Sequence, residues 1–360
     1  MKKILILTNH SFMLWQFRRE LITAMMAEGH SFVIGTPFGD RVEDFRSLGI
    51  KMIDTPLHRR GINPVEDAGL LARYFRILRA EKPDLVVTYS IKPNIYAGFA
   101  CRVLGIPYCA NVQGLGTAFQ KKSIALLVTR MYRSALKKAK TVFFENTANA
   151  NLFAQKGIIS GEQQCVLSGA GINLEFHTVQ PYPERSPVHF LYLGRLMKEK
   201  GIGELFEAVR QLHEEGFSFH LDLVGFYEDE YKEAAAQLEQ LGIATFHGFQ
   251  PDPRPYYGAC HCVVLPSYHE GMSNVLLEAA AAGRPVITSD IPGCREAVIP
   301  GESGLLCTVQ DTQSLKMAMK QFLSLSSSQR AQMGRAGRSF MESRFDKKTV
   351  VEATIRKLLQ

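Results

Sequence analysis

The chain has 360 residues, of which 46% are hydrophobic and 21% charged, and its formal net charge is +7. This composition is typical of a globular protein and the length predicts two domains, which excludes a fibrous, low-complexity or single small-domain protein. No apolar run approaches the ~18 residues of a membrane span. The seven cysteines have no regular spacing that would indicate a disulfide framework, so we expect reduced thiols in a cytoplasm.

Strands and helices alternate through the first half of the chain. Short apolar runs predict buried strands, and runs with apolar residues every three or four positions predict helices. The predicted strands are "KKILILT", "HSFVIGTP", "DLVVTYS", "IPYCANV" and "KTVFFEN". The predicted helices are "MLWQFRRELITAMMAEG", "NPVEDAGLLARYFRILRAEKP" and "KPNIYAGFACRVLG". This order is that of βαβ units, which form a parallel sheet covered on both faces.

A Gly-, Pro- and Ser-rich segment at residues 168–187 interrupts the pattern and predicts a linker. The alternation then restarts with the strands "VHFLYLG", "FHLDLVG", "ATFHG", "ACHCVVLP", "RPVITSD" and "SGLLCTV". We therefore predict an α/β protein with two Rossmann-like, doubly wound domains, residues 1–175 and 185–340, facing each other across a cleft. Residues 341–360 are predicted to form a C-terminal helix that crosses back to the first domain.

Two glutamates mark the segment "YHEGMSNVLLEAAAAGRPVITSD" at residues 268–290. Glu278 lies inside an apolar run that predicts a buried helix capped by Ser273 or Asn274, and Glu270 lies eight residues earlier on the preceding loop. Eight helical residues span about 12 Å, the length scale of a nucleotide-sugar. Both glutamates are therefore candidates to accept hydrogen bonds from sugar and ribose hydroxyls. The alternative is a capping Glu270 and a structural Glu278 paired with an arginine.

A basic loop follows the first predicted strand of the second domain. In "LGRLMKEKG", Arg195 and Lys200 lie five positions apart, at the carboxyl end of the strand, where α/β sheets bind ligands. Two cations there can hold a diphosphate, and free backbone N–H groups at residues 271–275 favour an anion as well. The sequence contains no D-x-D metal motif, so we expect fixed cations to stabilise a leaving diphosphate. The alternative is a solvated surface pair.

These segments resemble a known family. "GRLMKEKG" followed by "EGMSNVLLEA" resembles the retaining glycosyltransferases of GT-B fold, family 4, with their Glu-x7-Glu motif, and the linker "GAGINLEFH" fits the same family. The segments "FRRELITAM", "INPVEDAGLLARYFRILR", "IKPNIYAGFACRVLGIP" and "VQGLGTAF" resemble bacterial transferases that build capsular, O-antigen or N-linked glycans on a polyprenyl-diphosphate carrier. Within that group, the similarity is to the N-acetylgalactosaminyltransferases.

The resemblance implies catalytic roles for three residues. Glu270 would contact the donor sugar hydroxyls near the reacting carbon, while Arg195 and Lys200 would hold the diphosphate and stabilise negative charge as UDP leaves. Many relatives have a histidine at or near Gln113, and its absence here leaves the general base unassigned. Retention of configuration would then follow from front-side attack, with the leaving phosphate accepting the acceptor's proton. No cofactor and no metal are expected.

The resemblance also implies a set of donor-binding residues. Glu278 would bind the ribose, and the backbone N–H groups of residues 271–273, directly after Glu270, would contact the diphosphate. The glycines of "QGLG" would let the backbone approach donor and acceptor closely. The implied donor-binding residues are Glu278, Gly271, Met272, Ser273, Asn274, Gly114 and Gly116.

Residues 1–180 contain 23 Lys and Arg against 13 Asp and Glu, so the acceptor, which carries a diphosphate, is expected on this basic first half. Lys92 and Arg18 are candidates for the acceptor's diphosphate, and His10 lies on the first loop that would face the ligand. Residues 120–140 carry lysines and arginines without an acidic residue, and apolar residues recur among them at helical spacing, as in a helix lying on an anionic membrane. The candidate membrane-docking residues are Lys121, Lys122, Arg130, Arg133, Lys137 and Lys138. The alternative is a helix whose apolar face packs into the core.

The leading hypothesis is a metal-independent retaining transferase that uses UDP-GalNAc or UDP-GlcNAc. Its other partners would be a polyprenyl-diphosphate-linked saccharide and the cytoplasmic face of the inner membrane. One alternative is a UDP-sugar 2-epimerase of the same fold, and another is a non-catalytic GT-B subunit that binds nucleotide. No nucleic-acid-binding motif accompanies the basic charge. A dehydrogenase is disfavoured because the first strand leads into "TNHSF" instead of a glycine-rich loop.

Overall fold

The computed structural model describes residues 1–58, 63–115, 122–228 and 230–360, except for the side chains of Lys122 and Ser123. Gly116, Lys121 and the side chain of Lys122, which the sequence analysis named, therefore lie outside the described part. The chain divides into two compact units. Unit 1 contains Met1–Ala170 and Lys348–Gln360, and unit 2 contains Gly171–Lys347.

Unit 1 contains a parallel sheet built from short, almost wholly apolar segments. Its strands are β1 (Lys3–Leu7), β2 (Ser31–Thr36), β3 (Lys51–Asp54), β4 (Leu85–Tyr89), β5 (Tyr108–Val112), β6 (Thr141–Phe144) and β7 (Gln164–Val166). The order across the described sheet is β3-β2-β1-β4-β5-β6-β7. Leu5 of β1 is in register with Val33 on one side and with Val86 on the other. The strand order therefore reverses direction beside β1, the position at which ligands bind in such sheets.

Helices cover this sheet on both faces. They are α1 (Ser11–Ala27), α2 (Val42–Ser47), α3 (Pro64–Glu81), α4 (Ile91–Leu104), α5 (Lys122–Leu136) and α6 (Thr147–Gln155). The start of α3 is fixed by Asn63, whose side chain accepts hydrogen bonds from the N–H groups of Val65 and Glu66, and by Pro64 in the first turn.

Unit 2 repeats the architecture with six parallel strands among its described residues. The strands are β8 (Val188–Leu193), β9 (Phe219–Val224), β10 (Ala244–Phe246), β11 (Cys262–Leu265), β12 (Val286–Ser289) and β13 (Gly304–Cys307). Their order is β10-β9-β8-β11-β12-β13. The carboxyl ends of β8 and β11 thus lie side by side, and the loops that follow these two strands meet.

The remaining helices follow in chain order. They are α7 (Ile202–Glu214), α8 (Lys232–Gln240), α9 (Arg254–Ala259), α10 (Asn274–Ala281), α11 (Thr312–Ser324), α12 (Ser327–Arg344) and α13 (Lys347–Leu359). Nearly all of α13 belongs to unit 1, where Ile355 and Leu358 pack into the core with Ile4 and Ile6 of β1. Leu5 and Leu7 face the opposite core layer, as expected for a strand covered on both sides.

The prediction of two Rossmann-like α/β domains is confirmed. Strands β3 and β7 and helices α2, α6, α8, α9 and α11 were not predicted from the sequence patterns. Both strands lie at the edges of the sheet and are partly exposed, so they lack the continuous apolar run that marks a central strand.

Candidate functional site

The loop after β8 brings Arg195 to the carboxyl edge of the unit 2 sheet. A Cβ atom on Gly225 would lie 1.8 Å from the carbonyl oxygen of Gly194, so these two strand ends touch backbone to backbone. Arg195 follows directly, and its Nη1 atom lies 2.5 Å from Oε2 of Glu228. The Tyr192 hydroxyl donates a hydrogen bond to the Arg195 carbonyl at 2.6 Å. Contacts on both sides therefore hold the backbone of Arg195 in place.

Lys200 and Glu270 form an ion pair. The Nζ atom of Lys200 lies 2.5 Å from Oε1 of Glu270, and the same oxygen accepts a hydrogen bond from Ser267 Oγ at 2.9 Å. The two side chains are 21% and 14% exposed, so solvent still reaches the pair. The structure thus brings together the cation and the carboxylate that the sequence analysis placed in one site.

Two glycines fix the loop that carries Glu270. Gly293 has φ +87°, and a Cβ atom there would lie 2.6 Å from the Gly271 carbonyl oxygen and 2.7 Å from that of Glu270. A Cβ atom on Gly201 would lie 2.1 Å from the carbonyl oxygen of Pro266. Only a residue without a side chain fits at either position. The sequence analysis missed the importance of both glycines and of Ser267, because their partners are distant in sequence.

The structure corrects the expectation for one hydrogen-bond donor of this loop, the backbone N–H of Ser273. Ser273 is the N-cap residue of α10, but its side chain makes no capping hydrogen bond. Its backbone N–H donates to the Gly293 carbonyl at 2.9 Å, so this group is not the free anion donor that the sequence analysis expected. Met272 is buried in the unit 2 core, and Asn274 opens the helix with a partly buried side chain. Of the predicted anion donors in this loop, Ser273 is therefore already occupied.

Glu278 lies on the second turn of α10, buried among leucines and alanines. Its partner is Tyr257 of α9, whose hydroxyl donates to Oε2 at 2.9 Å. Burial raises the pKa of Glu278 to about 7, although the hydrogen bond from Tyr257 acts in the opposite direction. The alternative of an arginine partner for Glu278 does not describe this contact. Glu278 is thus a buried carboxyl group that changes charge near neutral pH.

The three candidate acceptor residues lie at the carboxyl edge of the unit 1 sheet. Arg18 forms a buried ion pair with Glu145, Nη2 to Oε1 2.9 Å, and its guanidinium lies over the Tyr89 ring. Lys92 forms a second pair with Asp67, at 2.8 Å. Both cations are therefore already neutralised within unit 1.

Two further residues named from the sequence are His10 and Gly114. His10 is the N-cap residue of α1, and its ring centroid lies 6.2 Å from that of Phe12. Gly114 lies on the described part of the loop after β5. Neither position by itself assigns a role.

Helix α5 directs most of its apolar residues into the core. Val128 and Leu136 are buried there, and Ile124 and Met131 pack against them, as in the alternative interpretation. Leu127 and its neighbour Leu126 are 47% and 56% exposed. The apolar stripe therefore faces the core and not a membrane, and of these apolar residues only the leucine pair is exposed to solvent.

The basic residues of α5 and its end divide into two groups. Arg130, Lys137 and Lys138 are exposed. Arg133 donates hydrogen bonds to the carbonyls of Gly157 at 3.0 Å and Lys156 at 2.5 Å. Arg133 is therefore engaged in binding the end of α6, and the first three remain candidates for surface contact.

The described residues contain neither a candidate membrane span nor a candidate metal cluster. No helix among them is both long enough and apolar enough to cross a bilayer. No group of three or more His, Cys, Asp or Glu side chains in the same part of the chain is arranged to hold a metal ion. Cys260 and His261 are buried just before β11, and Cys262 is buried at its first position.

The two units match two family models. Residues 14–169 match the glycosyl transferase 4-like domain, and residues 178–340 match the glycosyl transferases group 1 model. The chain therefore belongs to the group 1 glycosyltransferases, with a family 4-like first domain and the GT-B fold.

Individual relatives agree with this assignment. The chain is 25% identical over 323 residues to the N,N'-diacetylbacillosaminyl-diphospho-undecaprenol alpha-1,3-N-acetylgalactosaminyltransferase of Campylobacter jejuni, covering 84% of each chain. It is 35% identical over 179 residues to a glycogen synthase of Mycobacterium tuberculosis, covering 48% of this chain and 42% of the synthase.

Solved structures show the same fold. HepE of Anabaena, crystallised with UDP and glucose, superposes with a TM-score of 0.81 at 19% identity over 99% of both chains. Sucrose-phosphate synthase of Thermosynechococcus elongatus gives a TM-score of 0.76 at 21% identity, over 99% of this chain and 98% of the synthase.

Proposed function

We propose that this glycosyltransferase moves an N-acetylhexosamine from its UDP-sugar to a polyprenyl-diphosphate-linked saccharide, with retention of configuration and without a metal. N-acetylgalactosamine is the first donor sugar to test, and bacterial surface or N-linked glycan assembly is the expected setting. The relative that covers 84% of this chain carries both the sugar and the lipid diphosphate in its name, which supports this choice.

The observation that carries the proposal is the Lys200–Glu270 ion pair beside Arg195. Without substrate, each cation is balanced by a carboxylate, Glu270 for Lys200 and Glu228 for Arg195. A diphosphate carries a higher charge density than one carboxylate and accepts charge-assisted hydrogen bonds from both cations. When the diphosphate takes Lys200, the carboxylate of Glu270 becomes available to accept hydrogen bonds from the donor sugar.

In the proposed reaction an acceptor hydroxyl oxygen forms a bond to the anomeric carbon of the donor. The bond from that carbon to the diphosphate oxygen breaks, and its electron pair leaves with UDP. Arg195 and Lys200 stabilise the negative charge that develops on the leaving oxygen. The acceptor's proton passes to the leaving phosphate on the same face of the sugar, which accounts for retention without a separate base.

Glu278 is proposed to bind the ribose of the donor. Its carboxylate accepts a hydrogen bond from Tyr257 through one oxygen only, and the other oxygen has acceptor capacity for a diol. Because Glu278 stands on the second turn of α10 and Glu270 on the loop before it, the two carboxylates can take opposite ends of a nucleotide-sugar.

Peripheral membrane association is proposed through the exposed residues of α5 and of the segment directly after it. Exposed Leu126 and Leu127 would insert between lipids, while Arg130, Lys137 and Lys138 would contact anionic headgroups. This interpretation assigns insertion to two leucines only, since the rest of the apolar stripe packs into the core.

The deciding experiment is UDP and GDP release from a panel of nucleotide-sugars, with excess chelator, with and without a polyprenyl-diphosphate-linked saccharide. We expect UDP release from one UDP-N-acetylhexosamine, only with acceptor, and an α-linked product by NMR. Loss of turnover with chelator would contradict metal independence. Conversion of the donor to its 2-epimer without acceptor would replace the proposal by the isomerase alternative, and binding of UDP without any turnover would favour a non-catalytic subunit.

A further inference from the structure

Unit 1 contains a pocket that the proposed reaction does not yet use. Its volume is about 510 Å³, and it lies at the carboxyl edge of the sheet, between the segments that follow β2 and β3, one face of α3, and Lys92 at the start of α4. The carboxyl edge of an open α/β sheet is where ligands bind. The inference below rests on the proposed function, because it names the substrate part that this pocket takes.

One ion pair closes the inner wall of the pocket. Lys92 Nζ lies 2.8 Å from Asp67 Oδ1, with the two side chains 14% and 8% exposed. The hydroxyl of Tyr96 donates a second hydrogen bond to Asp67, and burial together with this carboxylate raises the pKa of Tyr96. Asp67 thus accepts hydrogen bonds from both Lys92 and Tyr96, and its charge neutralises that of Lys92. This ion pair contributes no net charge. Glu66 also lines the pocket, and its Oε2 atom lies 3.9 Å from Nε2 of His58, which lines the pocket as well.

The cations left for a ligand are two arginines of α3. Arg73 and Arg76 both line the pocket, one turn apart on the same face of the helix. Neither forms an ion pair with any residue in the described part of the chain. Arg73 is partly exposed and Arg76 is exposed, so both guanidinium groups can reach a ligand from solvent. Two forked donors at this spacing match the several oxygens of a diphosphate.

Other residues of the lining are apolar. Pro37, Pro56 and Leu57 line the pocket from the segments that follow β2 and β3, and Leu70 lines it from α3. An inorganic phosphate gains nothing from apolar side chains, because its oxygens interact favourably only with cations and hydrogen-bond donors. A phosphate that carries a hydrocarbon chain can use both kinds of lining residue, the cations for its oxygens and the apolar side chains for its carbon.

The backbone beside the pocket is strained. Ser90, the residue before α4, has φ 76° and ψ 159°, a region that residues other than glycine rarely adopt. Its hydroxyl donates to Oδ1 of Asn9 at 2.7 Å, which links the ends of β1 and β4. Such strain persists where the fold needs one position of the chain. Here it sets the start of α4, and with it Lys92 two residues later.

We propose that this pocket binds the prenyl-linked diphosphate of the acceptor, with Arg73 and Arg76 contacting the diphosphate and Pro37, Pro56 and Leu57 contacting the first prenyl carbons. Lys92 is a positioning residue, because Asp67 occupies its charge. The sequence analysis named Lys92 and Arg18 as candidates for the acceptor's diphosphate, and in this proposal Arg73 and Arg76 take that role.

The test is equilibrium binding by calorimetry in metal-free buffer, with farnesyl diphosphate, farnesol and inorganic pyrophosphate as probes. We expect farnesyl diphosphate to bind more tightly than either of the other two. Removing both charge-assisted contacts in Arg73→Ala/Arg76→Ala should weaken its binding by on the order of 10- to 100-fold. Equal binding of pyrophosphate would overturn the prenyl part of the proposal, and absence of farnesyl diphosphate binding would overturn the site.

A matched control removes two arginines of unit 1 that do not line the pocket. Arg79 of α3 and Arg102 of α4 meet this condition, and each guanidinium lies over a neighbouring phenylalanine ring. Arg79→Ala/Arg102→Ala should leave the affinity for farnesyl diphosphate within about twofold of wild type. These two charges do not line the pocket, so salt screens their effect on a ligand bound there. An equal loss in this control would reduce the effect to general charge and overturn the site.

A third variant should change the affinity in the opposite direction. Asp67→Asn keeps an oxygen that can accept the hydrogen bond of Tyr96 but releases the charge of Lys92. We expect tighter binding of farnesyl diphosphate, and weaker binding would contradict the neutralised state of Lys92. Circular dichroism of the same sample shows whether the variant is folded. A loss of affinity for all three probes that is caused by unfolding is thereby recognised.

Failure of the site and failure of the proposed function give different results. If wild type transfers sugar and the Arg73→Ala/Arg76→Ala variant keeps the acceptor KM, the site is wrong and the function stands. If wild type transfers nothing while the variant still loses farnesyl diphosphate binding, the site stands and the function is wrong. An acceptor KM raised in parallel with the binding constant, at unchanged UDP affinity, supports both.

Discussion

The ammonium of Lys200 lies 2.5 Å from the carboxylate of Glu270, a residue seventy positions further along the chain. One comes from the loop after β8 and the other from the loop after β11, two strands that are neighbours in the sheet. The adjacency of the strands, with Gly201 packed against Pro266, creates this contact. The pair is thus a product of sheet topology.

Replacing Lys200 tests the pair directly. Lys200→Met keeps most of the aliphatic stem and removes the charge, so we expect kcat to fall on the order of 10²–10³-fold, the effect of removing one charge-stabilising donor. Lys198→Met, on the same turn with an exposed side chain, is the control and should stay within a few-fold of wild type. The measurement is UDP release at saturating donor. A wild-type kcat in Lys200→Met would remove this residue from the reaction.

Glu278→Gln is expected to stabilise the protein and weaken nucleotide binding. The pKa of Glu278 is raised to about 7 in the folded state, so its contribution to stability is present at low pH and is lost as pH rises through 7. A shift of this size corresponds to about 3 kcal/mol at pH 8, which a neutral glutamine recovers while still accepting from Tyr257. Urea unfolding at pH 5 and pH 8 measures the gain, which should be larger at pH 8.

The same titration should appear in UDP binding. If the ionised carboxylate accepts the ribose hydroxyls, the affinity of wild type should rise about tenfold from pH 6 to pH 8, beyond the change that Glu278→Gln shows. The glutamine variant accounts for the titration of UDP itself. Tyr257→Phe removes a hydrogen bond that lowers the pKa of Glu278, and should move the midpoint to higher pH. Identical pH profiles in wild type and Glu278→Gln would contradict a role of this carboxylate.

Gly293→Ala should disturb the loop of Glu270. A Cβ atom at this position meets the backbone of Glu270 and Gly271 at 2.6–2.8 Å, so the loop must shift and we expect kcat to fall at least tenfold. Gly301→Ala is a matched control, because Gly301 has a similar φ of +80° but open space around it. Both variants should lose about 1 kcal/mol of stability from the left-handed backbone. Gly293→Ala should lose more, because its Cβ atom also meets backbone atoms, and only this variant should lose activity. Equal activities would show that the loop tolerates the shift.

His177→Phe should make unit 2 more resistant to acid. Burial, with the nearby charge of Arg254, lowers the pKa of His177 to about 4, whereas Asp252 acts weakly in the opposite direction. A lowered histidine pKa means that the unfolded chain takes up the proton first, so stability is lost as pH falls from about 6.5 to 4. This linkage accounts for about 2 kcal/mol between pH 7 and pH 4.5.

The measurement is urea unfolding of His177→Phe at these two pH values by far-UV circular dichroism. The variant should lose less stability than wild type on acidification, while His213→Gln, at an exposed position, should behave as wild type. The single tryptophan, Trp15, lies in unit 1, so its fluorescence follows that unit separately. A parallel loss in His177→Phe and wild type would contradict the depressed pKa.

Vesicle binding tests the surface of α5. We expect Leu126→Ser/Leu127→Ser to weaken sedimentation with vesicles of an anionic phospholipid at every salt concentration, because the loss is of apolar contact. Arg130→Ala/Lys137→Ala/Lys138→Ala should weaken it mainly at low salt, because headgroup attraction is screened.

The control for the basic triple variant removes three exposed cations of unit 2, in Lys232→Ala/Arg335→Ala/Arg344→Ala. This control has the same net charge as the α5 variant and should bind vesicles as wild type does. Equal loss in both triple variants would indicate general charge attraction without a defined surface.

The alternation of apolar runs and helical periodicity was sufficient to predict two Rossmann-like domains. These patterns depend on residues that are neighbours in sequence, and β1, with apolar residues on both faces, is a clear example. The short helices α8 and α9 were missed because a helix of this length gives little periodic signal. Arg195, Lys200 and Glu270 could be named from residue type and loop position, and Glu278 could be named as a carboxyl group within an apolar helical run.

The sequence by itself therefore determined the kinds of residues in the site and the class of fold. Only the tertiary structure decided which charges are already paired, as Lys92 is with Asp67 and Lys200 with Glu270. It also decided that most of the apolar stripe of α5 faces the core, and that Gly293 must lack a side chain. The physical reason is that local patterns set strands and helices, whereas charge pairing and close backbone approach depend on which strands become neighbours in the sheet.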